Sequence, residues 1–506
     1  MMKNIGKMMN EANGTDVIEL TEEQLEAMRE TIRESLVRGE NGKTANSIDN
    51  CVLVLENDPL FKGKIRRNLL TGCTDLPADM PWNRESTMLT DRDLPFIKYH
   101  LETYYGLTSE KRILDSLEII ANRNAFHPIR ERLESLKWDG IPRVRCALHR
   151  FLGAEENDLN EECLRTFMLG AAERIFHPGC KFELMLCLTG GQGAGKTTFV
   201  RFLALEDEWF SDDLRRLDDE NVYRKMMGHW IIELSEMIAT SSAKSIEEIK
   251  SFLSRQKDTY KVPYDRFPAD YRRQCVFAGT TNRLDFLPLD RSGNRRFMPV
   301  RIDPEKAEIH ILENEAESRA YFEQMWAEIM EQCRSGNYSL RLSKKTEAVL
   351  KQEQKNFMPE DVLAGVVYDF IEKYAGNKLC SRQIWYEALN HSSEYDEPAR
   401  RETLEIHDIV EEGISSGEIN GWRSFRNPRN FPEYGRQKGW ERIPEPDNRL
   451  PATEEKAEQL GFTVVDEPED FPFKDLPDEA GCRVGCREIA DPVAGVYEAL
   501  WGKAPA

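Results

Sequence analysis

The spacing of apolar positions changes three times along the chain. Up to about residue 160 it is helical. Thr21-x-x-Gln24 forms a capping box ahead of a helical stretch reaching about Arg38, and helical patterns return over Asp93–Tyr104, Glu110–Arg123 and Pro128–Leu136. From about Glu161 to Asp303, short apolar runs alternate with helical stretches. Leu184–Leu188, Trp230–Leu234, Val276–Gly279 and Phe297–Ile302 predict strands, and this interleaving predicts a parallel α/β sheet. Beyond Pro359 the pattern predicts helices over Glu360–Tyr374, Ser381–Leu389 and Arg400–Glu412, followed by a Gly/Pro/aromatic-rich stretch that suits a β-hairpin. Three helices and a hairpin predict a winged-helix-like module. No period that would signal a solenoid recurs.

The expected organisation is therefore an N-terminal helix and linker (1–48), a mostly helical domain (49–160), an α/β core (161–345), the winged-helix-like module (359–442) and a tail (443–506). The stretch from Glu441 to Ala506 holds 7 basic and 16 acidic residues and 8 of the 24 prolines, which reads as an acidic tail with little core of its own. Overall, 506 residues with 40% hydrophobic content suffice for several packed units. No apolar run approaches the roughly 18 residues of a membrane span, and the start lacks a signal core. The 11 cysteines are scattered, the closest pair (Cys482 and Cys486) is not a CxxC, and they read as reduced thiols in a cytoplasm. A net charge of −21 excludes a surface that coats nucleic acid throughout, but leaves room for a local basic channel.

The chemistry concentrates in the α/β region. Gly190, Gly191, Gln192, Gly193, Ala194, Gly195, Lys196, Thr197 and Thr198 fit G-x4-G-K-T, with an apolar strand before and a helix after. Glycines let backbone N–H groups turn toward phosphate oxygens, and the helix N-terminus adds positive partial charge. Lys196 is expected on the β/γ-phosphates of ATP and Thr197 on Mg²⁺. In His229-Trp-Ile-Ile-Glu-Leu-Ser-Glu236, Glu233 is expected in the Mg²⁺ shell with Thr197, and Glu236 at the attacking water, the two roles being exchangeable. Asn282, at the tip of the Val276–Asn282 strand, is placed to sense the γ-phosphate, and Arg295 and Arg296 are candidates for a finger reaching a neighbouring subunit's phosphate, without a choice between them. Lys250–Arg273 holds 7 basic and 3 acidic residues interleaved with Tyr260, Tyr264, Phe267 and Tyr271, which suits contact with a single strand; Lys250, Arg255, Lys257, Lys261 and Arg266 are the candidate contacts. Gly421–Arg442, with six basic and two acidic residues and five aromatics, is a second such stretch, with nothing to decide whether it grips DNA or covers the helices.

Taken in order, GGQGAGKTT, HWIIELSEM, IKSFLSRQKDTYKVPYDR, FAGTTN and DRSGNRRFMPV, with HPIRERLESLKWDGIPR upstream, resemble the virulence-associated protein E-like family, a phage and mobile-element branch related to superfamily 3 helicases. The resemblance spans about Asn50 to Val300 and, more loosely, Tyr434–Arg442. It implies an AAA+-like P-loop ATPase core acting as a ring, a hexamer in that family's manner, in DNA replication of a mobile element. The Lys250–Arg266 segment would carry the DNA-tracking loop, on a single strand or fork. Two departures stand out: Asp265 replaces the family's usual Gly after Pro-Tyr, and only about 48 residues precede the matching part, so priming is expected from a separate primase. The alternative expectation is a nucleotide-switched initiator that binds DNA without processive unwinding.

Overall fold

A computed structural model describes residues 21–214, 217, 222–235, 243–260, 269–289, 294–391 and 396–443. The expected acidic tail lies outside them from residue 444 onward.

The capping box at the N-terminus forms: the Thr21 N–H donates to Gln24 Oε1 (2.9 Å), the Gln24 N–H donates to Thr21 Oγ1 (3.3 Å), and the helix runs Glu22–Ser35. Helices Ile48–Asn57, Leu94–Tyr105 and Glu110–Arg123 then close a small core around Val54, Phe61, Ile97, Leu101 and Ile120. Its polar centre is Asp58, fully buried. Tyr105 donates to Asp58 Oδ2 (2.6 Å), His100 Nε2 lies 3.0 Å from the same oxygen, and the Leu60 amide donates to Oδ1 (2.8 Å).

The helical domain expected to reach residue 160 ends earlier. Ile129, Leu133, Val144, Leu148, Phe151 and Leu152 share one core with Leu186, Phe199 and Phe322 of the α/β unit, not with the N-terminal cluster. Amphipathic helices declare an apolar face but not which core it covers, so the boundary was not readable from periodicity.

The α/β unit is a five-stranded parallel sheet. Its strands are β1 (Met185–Thr189), β2 (Phe210–Ser211), β3 (Ile231–Ser235), β6 (Val276–Thr281) and β7 (Phe297–Arg301), in the spatial order β2-β3-β6-β1-β7. Between β3 and β6 the chain forms helix Ala243–Leu253 and an antiparallel hairpin, β4 (Lys257–Tyr260) and β5 (Ala269–Arg272). Strands β1, β3 and β6 are the buried apolar runs that parallel pairing demands. The two-residue edge strand β2 was too short to leave a pattern. Helices Asp158–Phe176 and Glu315–Ser335 cover the sheet; Trp230 and Trp326 pack against each other at 4.5 Å, and their indole N–H groups donate to Ala171 O (3.0 Å) and Leu203 O (2.8 Å).

The C-terminal unit has helices Val362–Lys373, Ser381–Ala388 and Arg400–Ser416. A three-stranded antiparallel sheet joins Lys378–Leu379, Trp440–Arg442 and Trp422–Ser424, and Arg429–Phe431 pairs with Gly435–Gln437 as a hairpin. No helix among the described residues is long and apolar enough to cross a membrane.

Candidate nucleotide site and its flanking elements

Strand β1 runs directly into the Gly190–Gly195 loop, and Lys196 opens the helix Lys196–Leu203. Two glycines are required by the backbone path. A Cβ on Gly190 would lie 2.7 Å from the Ile302 carbonyl oxygen, and Gly195 takes φ +78° as it enters the helix. The first amides of that helix, at the end of the glycine-rich loop, have no intrahelical acceptor and carry the positive end of the helix dipole. Lys196 is 8% exposed, and its Nζ donates to Gly190 O (2.8 Å), Gly191 O (2.7 Å) and Asn282 Oδ1 (2.8 Å).

The strand order brings in the remaining groups. Because β6 lies between β1 and β3, Asn282 follows the strand next to the loop, while Glu233 projects from β3 one strand further out. Glu233 lies within its strand, which runs Ile231–Ser235 against the expected Trp230–Leu234, and it is fully buried. Its Oε1 accepts from Thr197 Oγ1 (2.8 Å), from Thr280 Oγ1 and from Ser235 Oγ (3.4 Å), whereas Oε2 is buried with no hydrogen-bond partner among the described residues. Burial raises its pKa above the ordinary carboxylate value, the Thr280 and Thr197 hydroxyls oppose the shift, and Asp212 adds to it. A buried carboxylate with one unpaired oxygen beside a threonine hydroxyl is a donor set that fits a hard divalent cation such as Mg²⁺. Among the described residues no cluster of three or more His, Cys, Asp or Glu side chains competes as a metal site. Glu236, the expected partner of Glu233, lies outside the described residues.

Arg295 and Arg296 sit at the other end of the sheet. They precede β7, whose first residue Phe297 is level with Met185, the first of β1. At about 3.3 Å per residue, a five-residue strand separates them from the loop edge by roughly 16 Å. Arg296 Nε donates to Glu183 Oε2 (3.3 Å) and to Ser254 Oγ (3.1 Å), and Ser254 in turn donates to Glu183 Oε2 (2.8 Å). Arg295 approaches Glu183 Oε1 at 3.7 Å but is 73% exposed. Against burial, Ser254 and the flanking guanidinium groups hold the Glu183 carboxyl below its ordinary pKa.

The β4–β5 hairpin rises from the same end. Its root is fixed by a buried pair: Arg273 Nε and Nη2 donate to Asp258 (2.6 and 3.0 Å), and the guanidinium lies 4.3 Å from the Phe252 ring centroid. Of the expected nucleic-acid contacts, Lys257 is exposed and paired with Asp270 (2.5 Å), and Arg255 is exposed with Tyr223 Oη 2.9 Å away. Lys250 is a correction: at 3% exposure it is enclosed by the helix packing and is not presented to a strand. Its helix also buries Ile249, Phe252 and Leu253, so the charge count of the segment overstated its outward face. Lys261 and Arg266, with Asp265, lie outside the described residues.

Sequence reasoning passed over Thr280, Ser235, Glu183 and Ser254. Thr280 and Ser235 carried one signal, a polar side chain in an otherwise apolar central strand; Glu183 and Ser254 carried none, because their partners are distant in the chain.

Residues 133–359 match the family model described as virulence-associated protein E-like domain, as the motifs led one to expect. No curated protein matches the chain. Similar solved structures include three described as apo structures of the NrS-1 C terminal region. The first is 14% identical, covering 56% of this chain and 69% of that one, with a TM-score of 0.32. The others are 13% identical over 62% and 78% (TM-score 0.34) and 12% identical over 75% and 95% (TM-score 0.38).

Proposed function

Because residues 133–359 carry a virulence-associated protein E-like domain, we propose that the chain is an ATP-dependent DNA motor in replication of a phage or mobile element, working as a ring of AAA+-like P-loop subunits. The observation that carries this reading is the convergence of Lys196, Asn282, Thr197 and Glu233 at one edge of the sheet, with Arg295 and Arg296 exiled to the other.

In this reading the Gly190–Thr198 loop holds the triphosphate of ATP and Lys196 neutralises its β/γ charge, exchanging loop carbonyls for phosphate oxygens. Thr197 and Glu233 hold Mg²⁺, which supplies Lewis-acid neutralisation of the developing phosphate charge. Asn282 fixes the Lys196 ammonium and orients the attacking water, with Glu236 accepting its proton. A pair of guanidinium groups about a strand length from this chain's own loop cannot serve it; exposed Arg295 is placed instead to complete a neighbour's site, while Arg296 is held by Glu183. The hairpin would carry the DNA-contacting segment, and the C-terminal unit would be a winged-helix-like DNA-binding module, with priming left to a separate primase.

The test is ATP turnover with and without DNA, and displacement of a strand from a fork, in the wild type and Lys196→Ala. The variant is expected to lose nucleotide binding and at least about 100-fold in turnover, as removal of a principal charge-stabilising group does. Equal activities would overturn the assignment. Nucleotide binding by the wild type without DNA-stimulated turnover would favour the switch-type initiator.

A further inference from the structure

The C-terminal unit divides its charge sharply. Helix Arg400–Ser416, the third helix and the one a winged-helix module ordinarily lays into a groove, holds five acidic residues against two basic ones. Glu402, Glu405 and Asp408 are all exposed and outnumber the exposed Arg400 and Arg401 at the helix start, so the face offered to a duplex is negative on balance. Groove entry would set these carboxylates against phosphates.

The hairpin stretch after it has the opposite construction. Its aromatics are spent on packing. Trp422, Phe425, Phe431 and Trp440 are buried, Phe425 and Phe431 packing with Cys380, and Tyr434 donates to Glu387 (3.0 Å). Two of its arginines are neutralised, since Glu441 accepts from both Arg423 (3.1 Å) and Arg429 (2.5 Å). Arg442 is held by the Gly376 and Tyr374 carbonyl oxygens, which leaves three cations. Arg426, Arg436 and Lys438 are exposed and lie within 4 Å of no carboxylate among the described residues. Arg436 stands opposite Asn430 in the hairpin register, and both are exposed while Phe431 on the next position turns inward.

We propose that Arg426, Arg436 and Lys438 form a contact surface for the phosphodiester backbone of nucleic acid, through which the C-terminal unit holds its substrate by the hairpin alone and reads no bases. The chemistry favours the phosphate backbone: point and fork cations on a short exposed hairpin bind phosphate, with no free aromatic for a base to stack on and no groove helix to carry them to base edges. The proposal rests on the DNA-engaging role proposed above and adds to it which face makes the contact and how little sequence information it carries.

Fluorescence anisotropy of the full-length protein with labelled single-stranded and duplex DNA tests it across a salt series. In Arg426→Ala/Arg436→Ala/Lys438→Ala, all three positions exposed, affinity at low salt is expected to fall about 10- to 100-fold. The slope of log affinity against log salt should flatten by about 2 for the single strand and nearly 3 for the duplex, equally for unrelated sequences. Glu405→Gln/Asp408→Gln on the helix should leave both sequence preference and affinity within about twofold, as uninvolved surface positions do. An unchanged slope in the triple variant, new sequence preference in the helix variant, or equal competition by polyglutamate would overturn the proposal. A wild type that binds no nucleic acid would overturn the motor reading as well, which separates the two failures.

Discussion

Thr280 Oγ1 donates to the buried Glu233 carboxylate from the strand next door, sharing Oε1 with Thr197 and leaving Oε2 free. A hydroxyl in that position fixes which oxygen points away from the strand. Thr280→Val keeps the branched shape and removes the donor. Turnover is expected to fall about 10- to 100-fold and the Mg²⁺ concentration for half-maximal rate to rise, while the unfolding midpoint stays nearly level. Measuring ATP turnover against Mg²⁺ checks this; an unshifted Mg²⁺ dependence would make Thr280 an ordinary core hydroxyl. At this scale much of the site was legible. G-x4-G-K-T and the carboxylate of an apolar run announce themselves because their spacing is fixed by local backbone geometry. What stayed hidden was partnership across strands: nothing in FAGTTN tells that Thr280 turns toward Glu233 and Asn282 toward Lys196, since strand order, not chain order, sets both distances.

Among elements, the first helix is anchored less by its own sequence than by the N-terminal core. Arg29 approaches Asp58 at 4.0 Å and lies over the Tyr104 ring, and Arg33 donates to Tyr104 O (2.9 Å). Burial alone would raise the Asp58 pKa, but hydrogen bonds from His100, Tyr105 and the Leu60 amide outweigh it and hold the carboxyl below its ordinary value of 3.8. A depressed folded-state pKa stabilises above the unfolded value and is lost as pH falls through the folded one. Asp58→Asn is therefore expected to cost about 1–3 kcal/mol near neutral pH, with the difference from wild type shrinking in acid as the pH falls past the ordinary value of 3.8 and through the lower folded-state one. Urea unfolding at neutral and at acid pH reads it; a deficit unchanged by acid would remove the ionised carboxylate as its source. Helices such as Glu110–Arg123 were legible to the residue, because amphipathic spacing and charge at the ends are local. The β4–β5 hairpin and the two-residue β2 were not, since their pairing is stabilised by contacts such as Asp258–Arg273 that no short window contains.

For the whole molecule, a site divided between opposite ends of the sheet makes a statistical prediction about assemblies. If Lys196 serves its own chain's nucleotide and Arg295 a neighbour's, then Lys196→Ala and Arg295→Ala are each inactive alone. In a freely exchanging equal mixture, about a quarter of the interfaces join an intact loop to an intact arginine, and turnover should recover to about that fraction. Mixing the two variants and assaying DNA-stimulated ATP turnover checks it; no recovery, with mixed assembly verified by differential tags, would place both residues in one chain's service.

Glu183 touches Arg295, Arg296 and Ser254 at once, and Ser254 lies three residues ahead of Lys257, where the β4–β5 hairpin begins. One carboxylate thus takes three claims on its two oxygens. Any anion that draws Arg295 outward strengthens the hold of the remaining two, and any pull on the hairpin that displaces Ser254 tightens the guanidinium pair on Glu183 in turn. By reciprocity, each displacement raises the cost of the other by the same amount. If the hairpin holds a nucleic-acid strand and the arginines a neighbour's phosphate, as proposed, a tug at the one and an arrival at the other are two readings of the same balance, weighed on a single side chain.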